Sequence, residues 1–463
     1  MTVDVALDAE PRVLDDDGRL RRDFVAAVVA HLDAGDAAAT RALVDPLHEA
    51  DIADLFELIP GDYRQDLARA LGDKLDADVI AEMNDWVREE LLDVLTATEV
   101  AAVVSDLDTD DAVSIIEELD EDDRREVLRA MDPDDRAAIE NALSYPEESA
   151  GRLMQRELVA VPEHWTIQAI IDFIGTEPDL PTDFWEVFVV DERHHPVGTI
   201  RLSWILTAAR NALVAEVMQR DQTLIPVDED QEEVALQFQK YALISAAVVD
   251  ADGRLVGVIT VDDIVHIIQE EAGEDALLLS GAGDGDINEP ITQTIKVRMW
   301  WLFINLWTAI LAAAVVAVFQ DSIAKLVTLA VLMGIVNGMG GNAATQTMAV
   351  TVRALATNQL TSSNTLRMIR RELLIALANG VGLGALMAMG CQFVYHDWPL
   401  TGVLFAAMLI NSVNAGLSGI LIPVGLEKAG VDPAITSTVF VTTMTDVIGF
   451  FSFLGLAALF HLH

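Results

Sequence analysis

The sequence predicts a multidomain membrane protein: an acidic cytosolic part, all-α at first and then an α/β tandem repeat, followed by a transmembrane domain of five α-helices. Three observations predict it. The net charge is −46 although the mean hydropathy is positive, +0.33, so the two properties belong to different segments. Apolar stretches longer than the roughly 20 residues needed to cross about 30 Å of hydrocarbon recur after residue 290. Between residues 186 and 265 a strand–turn–strand pattern occurs twice, about 60 residues apart.

Residues 1–290 hold 69 of the 75 acidic and 21 of the 29 basic side chains, a net of −48, and the remainder is close to neutral. Nucleic acid and anionic lipid are poor partners for the first part, because like charges repel. The single cysteine, Cys391, lies in an apolar stretch, which excludes disulfides and thiolate metal sites within one chain. The opening MTVDVALDAEPRV lacks an apolar core, so no cleavable signal is expected and the N-terminus stays in the cytosol.

Residues 1–19 read as an N-terminal tail and 20–143 as an acidic helical N domain. In DIADLFELIP (51–60), TDDAVSIIEELDEDDRREVLRAM (109–131) and DPDDRAAIENAL (132–143), apolar residues recur at three and four, and Asp-Asp or Asp-Pro pairs open new helices. Similar pieces at intervals of roughly 30 residues predict a small superhelix. From residue 144 to 268 the pattern changes to the tandem repeat, EVFVVDERHHPVGTI (186–200) and AAVVDADGRLVGVITVDDIV (246–265), each followed by a helix-like segment. GVITVDD (257–263) resembles the signature of a CBS domain, which implies a CBS pair. In CBS domains that hold adenosyl ligands the Thr and Asp of this signature grip the ribose, so Thr260 and Asp263 are candidates for ATP. The first copy has Arg201 and Trp204 at the matching places. Residues 269–297 read as an acidic helix and a linker; the GAGDGD run (281–286) imitates a phosphate loop only superficially, since no strand leads into it.

Residues 298–463 carry the five expected spans, 299–320, 326–352, 373–396, 398–426 and 433–463. Lys296, Arg298, Arg353, Arg367, Arg370, Arg371 and Lys428 flank one side of them and only Lys325 the other, which places the N-terminus inside and His463 outside a plasma membrane.

Asp446 is the sharpest chemical signal. It sits about 16 Å into the last span at 1.5 Å per residue, near the bilayer midplane, where a carboxylate is costly and marks an ion pathway by default. Thr438, Thr442, Thr443 and Thr445 are expected to form a polar surface with it; the alternative is a protonated Asp bonded to a neighbouring helix. Gly340, Gly341 and Asn342, in the second span, suggest a weakened helix whose carbonyls and amide suit a hard cation. Close packing through small residues is the competing reading. Asn305, Asn379, Asn411 and Asn414 read as interhelical hydrogen-bond partners or pore lining, and Glu372 as a second ionic group or, the favoured reading, a neutraliser of Arg370 or Arg371.

The run Gly340-Gly341-Asn342 with Gln346, Arg353-Ala354-Leu355-Ala356-Thr357 and Glu372 resembles the second-to-third helix region of MgtE magnesium channels. Asp432-Pro433-Ala434 followed by Asp446 resembles their last helix, and the order of domains fits over nearly the whole chain. The resemblance implies a homodimer embedded in lipid, with one pore where Asp446 of each chain holds hydrated Mg²⁺. It further implies that cytosolic Mg²⁺ closes the pore through a connecting "plug" helix. Sensor carboxylates would be Asp110, Glu232 and Asp263, with Glu271, Glu274 and Asp275 on the approach to the plug. Ala242, His266, Thr345 and Thr438 depart from the family's polar positions. No enzyme is expected, because no Ser-His-Asp set, phosphate loop or HExxH occurs. The alternatives are a secondary transporter of Co²⁺, Ni²⁺ or Mn²⁺ and a sensor whose spans only anchor it.

Overall fold

The computed structural model describes residues 13–279 and 289–460, apart from Val94, Asp179, Thr182 and Asp183, and without the side chains of Asp73, Asp275 and residues 435–437. The GAGDGD run lies outside the described residues. The chain divides into two compact units that part between Ile268 and Gln269.

The first unit begins with short helices whose ends are set by local chemistry. Asp36, Asp76 and Asn84 cap helix starts by accepting backbone N–H bonds, Thr96 and Glu99 form a reciprocal capping box, and Pro133 occupies a first turn, where its missing N–H costs nothing. Arginines repeat a staple. Arg64 Nε donates to Phe56 O and Arg124 Nε to Ile116 O, each at 3.0 Å and each eight residues back. The buried Arg64 pairs with Glu90, and the buried Arg88 with Glu118. Two apolar cores result, one around Phe56, Leu67 and Leu71, the other around Ile115, Ile116 and Val104.

Both strand–turn–strand pairs form as the sequence predicts, and each gains a short strand that was not foreseen. In the first sheet β1 (Ala160–Pro162) runs parallel to β2 (Glu186–Val190), which pairs antiparallel with β3 (Pro196–Arg201). The second repeats this with β4 (Leu224–Pro226), β5 (Ser245–Val249) and β6 (Leu255–Thr260). β1 and β4 have three residues each, too few to show alternation. Gly198 and Gly257 are equivalent: a Cβ would lie 2.7 Å from Gln219 O in the first case and 2.8 Å from Gln155 O in the second, so only glycine lets the crossing backbone approach. Phe188, Val190, Ala247 and Val258 share one core, which joins the sheets into a pair.

The second unit is a bundle of α1 (Ile291–Val318), α2 (Thr328–Ala356), α3 (Thr365–Tyr395), α4 (Trp398–Lys428) and α5 (Pro433–Leu459). Four helices, α1, α3, α4 and α5, are long and apolar enough to cross a membrane, and they make this a multi-pass membrane protein. α2 has 29 residues but is not among the four; its glycines, threonines and amides, Asn337, Asn342 and Gln346 among them, dilute its apolar character. The expectation of five spans therefore stands at four by length and hydropathy. α4 is the central helix, packed on α2, α3 and α5, with buried positions such as Leu404, Ala407, Met408, Asn411, Ala415 and Gly419 spaced three and four apart. α1 turns Trp300, Phe303, Leu306 and Trp307 outward, the pattern of a lipid-facing surface.

Candidate functional site

Asp446 lies on α5 with its carboxylate half-exposed, and α2 supplies its partner: Asn337 Nδ2 donates to Asp446 Oδ1 at 2.7 Å. No cation pairs with Asp446 among the described residues. The neighbouring threonines do not form the expected polar surface. Thr442 and Thr443 donate back to Thr438 O and Val439 O, and Thr445, fully buried, to Thr442 O. Hydroxyls one turn above a helical carbonyl satisfy themselves locally, which leaves Asp446 with an amide alone.

α2 runs unbroken through its glycines, contrary to the weakened helix expected there. Its carbonyls stay in the helical ladder, and the glycine with a role is Gly340. A Cβ on it would come within 2.0 Å of Asn411 Nδ2, and one on Gly449 of α5 within 2.7 Å of Asn337 Oδ1. Asn411, buried on α4, donates to Val336 O at 3.0 Å. Small residues thus bring α2, α4 and α5 close around Asn337, Asn411 and Asp446. Asn337 Oδ1 and Asn411 Oδ1 are buried and have no hydrogen-bond partner among the described residues. Gly341 and Asn342 face open space, away from this junction. Of the sequence candidates, then, Asp446 and Gly340 meet in one region while Gly341 and Asn342 do not. Asn337 was missed; the one available signal was an amide inside an apolar stretch, five residues before Asn342. Asn414 donates to Met444 O at 3.4 Å, an interhelical role like that of Asn411.

Glu372 corrects another expectation. It is buried, accepts from Thr347 Oγ1 at 3.3 Å, and lines a cavity of about 240 Å³ with Gln346, Asn379 and Ser412. Among the described residues it makes no ion pair with Arg370 or Arg371, because its side chain turns inward while theirs stay exposed. Leu279, the last residue described before the linker, offers its carbonyl to Thr438 Oγ1 at 2.7 Å and packs with Leu278 against Ala344, Met348 and Val441.

In the first unit the structure brings Asp110 and Asp263 together. Asp110 starts the helix Thr109–Glu118, is almost fully buried, and has no hydrogen-bond partner for Oδ1 among the described residues. Burial first, then the charges of Asp263 and Asp111, hold its carboxyl well above the usual range. Asp263 opens the helix Val261–Leu278 and is pushed up to about 6, chiefly by burial, against the opposing hydrogen bond that Thr260 Oγ1 donates to its Oδ2 at 2.9 Å. Asp111 is likewise pushed up to about 6, burial again leading. Glu232 stands in the first turn of Gln231–Tyr241, and Glu271 and Glu274 further along Val261–Leu278; the side chain of Asp275 lies outside the described residues. No group of three or more His, Cys, Asp or Glu is set to hold a metal among the described residues, so this structure does not unite the sensor set. In the first sheet the places of Thr260 and Asp263 are taken by Arg201 stacked over the Trp204 ring at 5.7 Å.

A bundle of membrane helices with a half-buried carboxylate inside it, in one chain with a helical acidic region and a CBS pair, defines a multi-pass membrane protein with a large appended unit. Family models match three stretches: a divalent cation transporter model over residues 333–456, an MgtE intracellular N domain over 47–148 and a CBS domain over 214–270. The chain is 31% identical over 318 residues to the magnesium transporter MgtE of Enterococcus faecalis, covering 69% of this chain and 70% of that one. It is 29% identical over 439 residues to the MgtE of Thermus thermophilus, covering 92% and 96%. A crystal structure of the cytosolic domain of the Mg²⁺ channel MgtE in complex with ATP aligns with 52% of this chain and 99% of its own, at 29% identity and a TM-score of 0.49. The chain belongs to the MgtE family.

Proposed function

We propose that the chain carries Mg²⁺ down its electrochemical gradient through a pore that Asp446 defines, and that Mg²⁺ on the first unit closes it. α2 acts as a fifth span, the N-terminus lies in the cytosol and the C-terminus outside, and two chains pair so that both copies of Asp446 face one path. The working parts are residues 20–143, 144–268, 269–297 and 298–463. The observation that carries the reading is the Asp446 carboxylate, set in an apolar bundle with a single neutral amide for a partner. A carboxylate without a cation in hydrocarbon costs about 3 kcal/mol or more, and a passing hydrated divalent ion offsets that cost transiently. Oxygen and amide donors suit Mg²⁺, which keeps its inner waters, and the absence of Cys or His beside Asp446 disfavours a softer ion such as Co²⁺ or Ni²⁺.

The gating half rests on Asp110 and Asp263, two crowded carboxylates with a buried oxygen lacking a partner. A bound divalent ion would neutralise them and fill that oxygen's need, with Glu232, Glu271, Glu274 and Asp275 as further ligands once brought near. Leu279 against Thr438 gives the connection a hold on α5 at the pore's proposed cytosolic end. ATP at Thr260 and Asp263 would have to displace the bond between them. The test is Mg²⁺ flux into liposomes by full-length protein and by Asp446→Ala. Flux is expected to vanish in the variant with folding intact, and wild-type flux in that variant would refute the assignment.

A further inference from the structure

Several arginines of the first unit find acids, Arg64, Arg88 and Arg152 among them. Three arginines of the second unit do not. Arg353 in the last turn of α2, and Arg367 and Arg371 in the first turns of α3, line one cavity of about 420 Å³, with Val350, Leu360 and Met368 as its apolar floor. None of the three forms an ion pair among the described residues. Glu372, next to Arg371 in sequence, bonds Thr347 in the neighbouring cavity, whose wall Arg371 also joins. In a chain with 75 acidic and 29 basic side chains, three such guanidinium groups at one place need a reason.

The cavity is built rather than incidental. The turn between α2 and α3 is pinned by Asn364, whose Oδ1 accepts from Thr361 N at 2.9 Å and whose Nδ2 donates to Gln359 O at 2.8 Å. It lies where α2 ends and α3 begins, at the polar boundary of the apolar helices. Guanidinium forks match phosphate oxygens two at a time, and basic pockets between spans at that boundary suit lipid headgroups. The apolar floor favours a ligand that carries chains as well as charge.

We propose that this cavity binds the phosphate headgroup of an anionic phospholipid, its glycerol and first acyl carbons resting on Val350, Leu360 and Met368. The assignment is independent of which ion the chain carries. It is tested by native mass spectrometry of the full-length protein in detergent, titrated with phosphatidylglycerol or phosphatidylcholine of the same chains. Wild type is expected to take up one phosphatidylglycerol per chain saturably and at least about tenfold more tightly than phosphatidylcholine. The Arg353→Gln/Arg367→Gln/Arg371→Gln variant is expected to lose that preference, and the corresponding Lys variant, which keeps charge and loses the fork, to keep only part of it. The Lys variant also serves if the Gln variant does not fold. Equal binding of the two lipids by wild type, as when acidic segments of the chain itself occupy the arginines, overturns the proposal. So does an unchanged preference in the Gln variant, or complete displacement of phosphatidylglycerol by inorganic phosphate, which would mark a site for a soluble anion.

Discussion

Two carboxylate sites in this chain are built in opposite ways. Asp446 on α5 is half-buried and bonded to one amide, whereas Asp110 and Asp263 in the first unit lie close enough for the charge of Asp263 to act on Asp110, and burial pushes both above the ordinary carboxylate range. A single accessible carboxylate attracts a cation without trapping it, as conduction requires. Two crowded ones make the cation-free state costly, so that a cation or a proton is held and the fold responds to it. On the function proposed above, the same side chain would serve passage in one setting and sensing in the other, and packing would make the difference.

That contrast can be broken most decisively at α5. Asp446→Asn keeps the shape and the bond to Asn337 and removes the charge; liposome Mg²⁺ flux is expected to fall at least about 100-fold, and retained flux would mean that polarity without charge suffices. Asn337→Leu, which removes the sole partner, is expected to lower flux roughly tenfold while leaving its closure by Mg²⁺ unchanged. The opposite signature is expected of Asp110→Asn: maximal flux near wild type, with the half-closing Mg²⁺ concentration raised about tenfold, equivalent to about 1.4 kcal/mol of lost binding. An unshifted titration would remove Asp110 from the sensor.

Helix packing around Asp446 sharpens the comparison at a smaller scale. Gly340→Ala drives a methyl into Asn411 and is expected to cost about 1–3 kcal/mol, read as a lowered melting temperature in detergent, whereas Gly341→Ala, which meets open space, is expected to be neutral or better. Smallest is the pH effect in the first unit. Between about pH 4 and 6 the folded state holds more protons than the unfolded one, because the carboxyls of Asp263 and Asp111 are pushed up to about 6 and that of Asp110 is raised as well. Stability is therefore greatest below the ordinary carboxylate value and is lost as pH rises through the raised values. In Mg²⁺-free buffer the unfolding transition of this unit in the full-length chain is expected to fall by a few degrees, on the order of 2–4 °C per kcal/mol for a unit of this size. Asp110→Asn should flatten that slope and added Mg²⁺ should reverse it at pH 7.

Much of this was legible before any coordinates. Charge segregation, apolar stretches, the doubled strand–turn–strand and the lone Asp446 follow from composition and period, which depend on each segment by itself. What failed depended on neighbours. Consecutive glycines look the same in a sequence whether they loosen a helix or admit another, and only the arrival of Asn411 at Gly340 decided for packing. Glu372 follows two arginines in sequence, yet it is buried and bonded to Thr347 while their side chains stay exposed. Asn337 could be matched with Asp446 only by folding, since 109 residues separate them. The sequence by itself determined which segments avoid water and which carry charge, because burial preference is a property of each residue; the tertiary structure alone decided which polar groups meet, because a hydrogen bond is a property of two.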